Sequence, residues 1–247
     1  MGINFSGFPY HLWLGRFLRR PLGWIPRETV VPILQGPLRG MKWVVGSASH
    51  GCWLGSYEYT KRRIFAKRVR NGSTVYDIGA HVGFYTLLSS ICVGPKGKVI
   101  AFEPMPRNLG YLYRHLELNG VDNVTIMEGV VFDREGEVRI TGNLDSAQNR
   151  VDPEGEHPVR SFVLDHLVYR EGFSPPDVIK VDVEGAEAAV LRGGARLLTE
   201  RRPLIFLSTH NSQVHAGCCR FLKDLGYKLC PIGSGSIDDC SELLGEG

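Results

Sequence analysis

After residue 73, segments with the apolar pattern of a strand alternate with segments that have the apolar spacing of a helix. Short apolar runs predict strands at residues 74–78, 98–102, 124–127, 178–183, 204–207 and 228–232. Apolar residues at helical spacing predict helices at residues 83–92, 108–119, 186–191 and 214–225. Because strands and helices alternate, we expect an α/β fold with a mostly parallel, twisted sheet and helices on both faces.

This alternation is interrupted between residues 130 and 170. Two segments of strand-like periodicity, residues 137–140 and 158–162, predict a β-hairpin inserted into the fold. The polar stretch between them, residues 141–155, is expected to be a mobile loop that faces the substrate.

The N-terminal part of the chain has a different character. Residues 1–57 are predicted to form an extension, and residues 58–247 a single domain. Residues 11–20 are aromatic and basic, which is typical of a peripheral membrane contact or a partner-docking segment. The alternative is an amphipathic helix packed on the body of the protein. A helix is expected over residues 58–71, with basic residues toward its C-terminal part that complement the helix dipole.

Composition and charge limit the class of protein. The 247 residues are 43% hydrophobic and 22% charged, with a net charge of +3, which is ordinary for a globular protein and too small to indicate nucleic-acid binding. No apolar stretch reaches the roughly 18 residues of a transmembrane helix, and no secretory signal is recognised. The six cysteines lack metal-ligand spacing, so we expect reduced thiols and a cytoplasmic location; a Cys230–Cys240 disulfide is the alternative.

The turn after the first predicted strand of the α/β region suggests a nucleoside site. Asp77 ends the strand, and Gly79, His81 and Gly83 follow in a tight turn before a helix. A pyrophosphate-binding turn would have a middle glycine, and Asp77 would repel phosphate. The acid favours a cationic ligand, so we predict S-adenosylmethionine rather than a dinucleotide. The alternative is an ordinary turn whose glycines serve packing alone.

A second acid, Glu103, ends the next apolar strand. A carboxylate at this position is suited to accept the hydroxyls of a ribose, whereas the alternative is a surface acid on a loop. Arg107 and Asn108 are interpreted as residues of a helix start, with Asn108 as a helix cap.

The third cluster follows the strand at residues 178–183. Lys180, Asp182 and Glu184 point to one side of a strand, at the edge where the donor is expected. Asp182 is a candidate to bind the donor's amino group, to orient a substrate hydroxyl or to act as a base. Lys180 is expected to pair with a neighbouring carboxylate, and Glu187 to favour the start of the next helix. A purely structural ion cluster is the alternative.

His210 follows the strand at residues 204–207 and completes the set of candidates. It is a candidate proton acceptor from a hydroxyl near neutral pH, although a single histidine is more often structural. Asp182, Glu184 and His210 offer ligand atoms suited to a divalent ion, but we expect no metal.

Three segments together resemble a known family. VYDIGAHVGFYTLL (75–88), VIAFEPMPRN (99–108) and DVIKVDVEGAEAAVLRGG (177–194) are similar to the FkbM-type methyltransferases, a group of class I S-adenosylmethionine-dependent enzymes. The resemblance covers residues 53–230 and includes the preceding segment WLGSYE (53–58). It implies a Rossmann-like sheet of seven strands. One departure is that the residues after Ile232 have uncertain strand character, which leaves the seventh strand in doubt.

The resemblance also implies roles for individual residues. Asp77, Gly79 and Gly83 match the first donor-binding motif, with His81 where asparagine is common. Glu103 matches the ribose-binding acid of the family. The acidic motif after the fourth strand is matched by Asp182, Glu184 and Glu187.

The expected function is therefore O-methylation of a hydroxyl on a small molecule or sugar. Asp182 and His210 are the candidate catalytic residues. Asp77, Gly79, His81, Gly83, Glu103 and Asp182 are the candidate residues for binding S-adenosylmethionine. A nucleotide-dependent oxidoreductase and a non-catalytic module that keeps the fold are the alternatives, and the oligomeric state is left open.

Overall fold

The structure is a computed structural model that describes residue 22, residues 24–141 and residues 150–247. The aromatic and basic segment 11–20 and residues 142–149 of the predicted mobile loop lie outside the described residues, so neither interpretation of segment 11–20 is tested.

The strands in chain order are β1 (Val30–Pro32), β2 (Lys42–Val44), β3 (Thr74–Ile78), β4 (Lys98–Glu103), β5 (Val124–Glu128), β6 (Val130–Val131), β7 (Gly136–Thr141), β8 (Arg150–Val151), β9 (His157–Phe162), β10 (Val178–Val181), β11 (Leu204–Ser208), β12 (Lys228–Pro231) and β13 (Glu242–Glu246). The helices are α1 (His50–Leu54), α2 (Tyr59–Arg68), α3 (Phe84–Val93), α4 (Pro106–Leu118), α5 (Leu164–Tyr169), α6 (Glu187–Gly193), α7 (Ala195–Glu200) and α8 (Ser212–Asp224).

Seven strands form the central sheet, in the order β12-β13-β11-β10-β3-β4-β5. The five strands from β11 to β5 are parallel to one another, and β13 is antiparallel to both β11 and β12. Apolar side chains on the two faces of the sheet belong to separate buried clusters, as expected for a sheet covered on both sides. The predicted Rossmann-like class I methyltransferase fold is confirmed.

The seventh strand, which the sequence left in doubt, is β13. It begins at Glu242, after a glycine- and aspartate-rich segment, and its Leu243 and Leu244 are buried in the two clusters on opposite faces of the sheet. The run contains no β-branched or aromatic residue, so its strand propensity is weak and its pairing partners decide its structure.

Strand β10 is shorter than predicted. It ends at Val181 instead of residue 183, and the chain then turns through Gly185, whose φ is +85°, before α6 begins. Asp182 and Glu184 therefore lie on a loop at the carboxyl end of the strand, where a ligand site is expected.

The predicted hairpin insertion is present and larger than expected. Strands β7 and β9 pair antiparallel, with Val138 opposite Val159, and the short strands β6 and β8 extend them to a four-stranded sheet. Two-residue strands such as β6 and β8 carry too little periodicity to be recognised in a sequence.

The described part of the N-terminal extension packs against helix α4. The indole of Trp43, which is fully buried, stacks on the His115 imidazole at a centroid distance of 3.9 Å. His115 Nε2 accepts a hydrogen bond from the Val44 amide (3.0 Å), and Nδ1 donates to the Val82 carbonyl (2.8 Å). Burial lowers the pKa of His115 to about 4, so the ring is neutral and ties the extension to the turn after β3.

All six cysteines are free thiols, so the Cys230–Cys240 disulfide considered above is not formed. Within the described ranges, every helix is too short or too polar to cross a bilayer.

Candidate active site

A cavity of about 470 Å³ opens at the carboxyl ends of β3, β4 and β10. The loops after these strands form its floor, the extension forms one wall and the insertion forms another. Its lining includes Ser49, Tyr57, Gly79, His81, Tyr85, Glu103, Arg107, Ile140, Val151, Lys180, Asp182 and Glu184. The cavity lies where open α/β sheets bind their ligands.

Gly79 and Gly83 are required by close packing inside the protein. Gly79 has a φ of +80°, and a Cβ atom there would lie 1.9 Å from the Asp182 carbonyl oxygen. Gly83 has a φ of +94°, and its Cβ would lie 2.6 Å from Leu112 Cδ1. Gly79 lines the cavity, whereas Gly83 lies outside the lining.

Replacing Gly79 by alanine is expected to destabilise the fold more than Gly185→Ala, which is a matched control. Both glycines have positive φ, which costs a non-glycine residue about 1–2 kcal/mol. A Cβ at Gly185 would meet nothing within 4 Å, whereas one at Gly79 would collide with a backbone carbonyl. Urea unfolding of the two variants measures the difference, and equal midpoints would contradict this explanation.

His81 adopts a left-handed conformation, with a φ of +53°, and lines the cavity. Burial, together with the cations Lys180 and Arg107, lowers its pKa to about 4. The imidazole is therefore neutral at physiological pH. Its backbone amide donates a hydrogen bond to Glu103 (2.8 Å), which joins the turn after β3 to the end of β4.

Asp77 lies behind the cavity wall. Its side chain is fully buried; Oδ1 is 3.1 Å from Lys180 Nζ, and Oδ2 accepts a hydrogen bond from Thr86 Oγ1 (2.7 Å). Lys180 lines the cavity and donates to the Gly79 carbonyl (3.0 Å). The predicted pairing of Lys180 with a carboxylate is confirmed, and Asp77 reaches the cavity through that lysine instead of directly.

Glu103 lines the cavity with its carboxylate largely engaged. Oε1 accepts from the Met105 amide (3.0 Å) and from Asn108 Nδ2 (2.9 Å), and Oε2 accepts from the His81 amide. Burial raises the pKa of Glu103, and these hydrogen bonds oppose the rise. A carboxylate offers about four acceptor positions, so one remains, on Oε2.

Asn108 does not cap its helix, contrary to the prediction. Helix α4 begins at Pro106, and the Asn108 side chain points back to Glu103. A proline at the first helical position already starts the helix well, which frees the amide to orient the acid.

Asp182 lines the cavity beside three cations. Oδ2 is 3.7 Å from the Nζ atoms of both Lys61 and Lys180, and Oδ1 is 3.6 Å from His210 Nε2. Burial alone would raise the pKa of Asp182, but these cations outweigh burial and hold it below its usual range. An acid with a lowered pKa is a fixed negative charge and a weak base.

His210 is not part of the cavity lining and lies next to two acids that are. Nδ1 donates to Glu187 Oε1 (2.7 Å), and Nε2 is 3.6 Å from Asp182 Oδ1 and 3.8 Å from Glu184 Oε1. The hydrogen bond to Glu187 raises the pKa of His210 to about 9, against burial and with help from the other acids. His210 is therefore mostly protonated at neutral pH, whereas the sequence suggested a group that titrates there.

Glu187 begins helix α6 as predicted, and its carboxylate is fully buried against His210. Glu184 lines the cavity, and burial raises its pKa. Within the described residues, histidines, cysteines and acids form no group of three or more arranged to hold a metal ion.

Three further charged residues, Lys61, Glu58 and Glu242, and the hydroxyl of Ser208 extend the polar cluster around Asp182. None of these four residues was among the candidates predicted from the sequence. Lys61 belongs to the first turn of α2 and is 3% exposed, although the basic residues of this helix were assigned to its solvated C-terminal part. The sequence signal that could have identified Lys61 as a paired lysine is Glu58, which lies three residues before it. Glu242 is contributed by β13, the strand that the sequence left in doubt.

Methyltransferases of other organisms are similar to this chain. Hexuronic acid methyltransferase AglP of Haloferax volcanii is 25% identical over 157 residues, covering 63% of this chain and 61% of that protein. 2-O-methyltransferase NoeI of Sinorhizobium fredii is 23% identical over 176 residues, covering 63% of this chain and 71% of that protein. The chain thus matches less than two thirds of the AglP length.

Solved methyltransferase structures have a similar fold. Methyltransferase FkbM from Methylobacillus flagellatus superposes with a TM-score of 0.53 at 16% identity, covering 81% of this chain and 56% of that one. A putative rRNA-methylase from Clostridium thermocellum superposes with a TM-score of 0.50 at 14% identity, covering 76% of this chain and 92% of that one. These similarities concern the fold alone.

The sequence model of one family, described as the methyltransferase FkbM domain, matches residues 77–229, which is more than half of the chain. The matched range runs from Asp77 in β3 to Leu229 in β12 and contains the Glu103 and Asp182 segments of the cavity floor. This chain therefore belongs to the FkbM methyltransferase family.

Proposed function

We propose that the protein transfers a methyl group from S-adenosylmethionine to a hydroxyl group of a sugar. The observation that carries the proposal is the cavity at the carboxyl edge of the sheet. There an ionised Asp182 and a hydrogen-bonded Glu103 lie on the two sides of β3. This arrangement suits a ligand with a diol at one end and a positive charge at the other.

The residues of the cavity suit this donor chemically. The remaining acceptor position of Glu103 Oε2 is available to a ribose hydroxyl. Asp182, fixed as an anion, attracts a cation, and Gly79 lets the turn after β3 pack against the backbone carbonyl of Asp182 in the cavity floor. When bound, the donor supplies an electrophilic methyl group on a positively charged sulfur.

The acceptor is proposed from the relatives and from the walls of the cavity. One relative is named for hexuronic acid, a sugar acid, and another for O-methylation at a 2-position. Tyr57 from the extension and Ile140 and Val151 from the insertion offer aromatic and apolar surface, which suits the ring face of a sugar. The extension 1–57 and the domain 58–247 thus both contribute to the proposed site.

His210 is the proposed proton acceptor. Its Nε2 lies beside Asp182 and Glu184, which line the cavity, and Glu187 holds the ring by Nδ1. A carboxylate that binds one ring nitrogen fixes the tautomer and makes the other nitrogen more basic. Asp182 is less suited to this role because its pKa is lowered.

Calorimetry with S-adenosylmethionine is the direct test. We expect saturable binding to the wild type, and about tenfold to hundredfold weaker binding to Glu103→Gln, because a hydrogen bond to a charged acceptor is worth about 1.5–3 kcal/mol. Glu128→Gln is the matched control, since Glu128 pairs with Glu103 in the sheet register but is exposed and does not line the cavity.

Failure of the wild type to bind S-adenosylmethionine would overturn the proposal. A parallel fluorescence titration with NADH tests the oxidoreductase alternative, which the family assignment does not favour. Transfer of a labelled methyl group to a panel of sugars and sugar acids tests the acceptor class. Donor binding without transfer to any of them would favour a non-catalytic module.

A further inference from the structure

Lys61 is a buried cation at the meeting point of four chain segments. Its Nζ lies 2.6 Å from Ser208 Oγ, 2.8 Å from Glu242 Oε2 and 3.3 Å from Glu58 Oε2. It is also 3.7 Å from Asp182 Oδ2. The partners come from the end of β11, the start of β13, the residue before α2 and the loop after β10. A lysine with 3% exposure is rare unless it is paired, so these contacts determine its position.

A second buried lysine approaches the same oxygen of Asp182. Lys180 Nζ is 3.7 Å from Oδ2 and is itself held by Asp77 (3.1 Å) and the Gly79 carbonyl (3.0 Å). Lys61 and Lys180 therefore hold Oδ2 between two ammonium groups, an arrangement that we call the two-lysine clamp. Oδ1 remains directed toward His210.

We propose that Lys61 is a positioning residue of the donor site: with Lys180 it fixes Asp182 Oδ2, so that Asp182 presents an anionic carboxylate to the cation of the donor. This inference rests on the proposed function for the identity of the ligand, and on the clamp geometry for the role of Lys61.

Glu242 opposes the effect of Lys61 on the pKa of Asp182. It is closer to Lys61 than Asp182 is, so it competes for the ammonium group, and its own charge repels that of Asp182. Removing Lys61 and removing the charge of Glu242 should therefore shift the pKa of Asp182 in opposite directions. The charged and titratable groups that interact electrostatically with Asp182 are Lys61, Lys180, His210, His81, Glu184, Glu242 and Tyr57.

Opposite shifts distinguish the clamp from a merely structural role. In ligand-free protein with ¹³C-labelled aspartate, the Asp182 carboxyl resonance, assigned with Asp182→Asn, reports its titration. We expect Lys61→Met to raise the pKa of Asp182 and Glu242→Gln to lower it. Lys67→Met, an exposed lysine of the same helix, is the matched control and should leave it unchanged.

Donor affinity should follow the same titration. An opposite charge within about 4–6 Å lowers a carboxyl pKa by about one unit or more, so Lys61→Met should bind S-adenosylmethionine about tenfold more weakly at acidic pH. The loss should be small at pH 8, where Asp182 is ionised in every variant. Calorimetry across the pH range measures this, and an equal loss at every pH would indicate a structural role and overturn the proposal.

The role of the clamp and the proposed function are tested independently of each other. If the wild type does not bind the donor, the proposed function is wrong, while the carboxyl titration still tests the clamp. If Lys61→Met does not fold, Glu242→Gln decides the matter alone. An Asp182 pKa that stays constant or rises in Glu242→Gln would overturn the clamp.

Discussion

Replacing Lys180 by methionine is expected to lower the free energy of unfolding by about 3–5 kcal/mol, the largest effect on stability that we expect for one substitution at the site. Lys180 is 3% exposed, and its Nζ is the cation next to Asp77, which is fully buried. Methionine matches the length of the lysine side chain but leaves Asp77 as an uncompensated charge in the core. Urea unfolding at pH 7 measures the loss.

A second substitution tests this cause. Adding Asp77→Asn to Lys180→Met removes the uncompensated charge and preserves an oxygen for the Thr86 hydroxyl, so part of the lost stability should return. A double variant less stable than Lys180→Met would show that charge compensation is not the role of this pair.

His210→Ala is expected to reduce turnover by about 10²–10⁴-fold, the range for loss of a general base, with donor affinity nearly unchanged. The side chain lies beside the cavity and does not line it, so donor contacts should survive. Steady-state kinetics that follow formation of the methylated sugar measure turnover, and calorimetry measures donor affinity. Unchanged turnover would exclude His210 from the mechanism and make Glu184, which lines the cavity, the next candidate.

The dependence of turnover on pH follows from the same residue. The neutral imidazole is the active base, and the pKa of His210 is about 9, so the rate should rise with pH up to about pH 9. Glu187→Gln removes the main cause of the raised pKa, and the rise should then occur at lower pH. The contribution of His210 to folding stability has the opposite pH dependence, because the folded protein favours the protonated imidazole. This contribution is fully present below pH 6.5, the ordinary pKa of histidine, and is lost as the pH rises through about 9.

The features of the fold that depend on local patterns were predictable. Both ends of strands β3, β4 and β11 and of helices α3 and α4 lie within about two residues of their predicted positions, because each element has strong apolar periodicity. The candidates Gly79, His81, Glu103 and Asp182 line one cavity because the carboxyl ends of parallel strands meet at one edge of the sheet.

The features that depend on long-range contacts were not predictable. Asp77 was expected to face the ligand, but Lys180, 103 positions later in the chain, lies between it and the cavity. Lys61 is buried because Asp182 and Glu242 approach it from distant parts of the chain. The titration of His210 depends on a buried Glu187, whose position at a helix start gave no indication of that contact.

The position of β13 has a consequence for how the protein is made. This strand lies between β11 and β12. Among the strands that the structure describes, β12 pairs with β13 alone, so its place in the sheet depends on residues 242–246 having left the ribosome. Until then, β11 exposes an open edge and Lys61 lacks Glu242. A nascent chain stalled before this point would carry an incomplete site and an unpaired edge prone to aggregation.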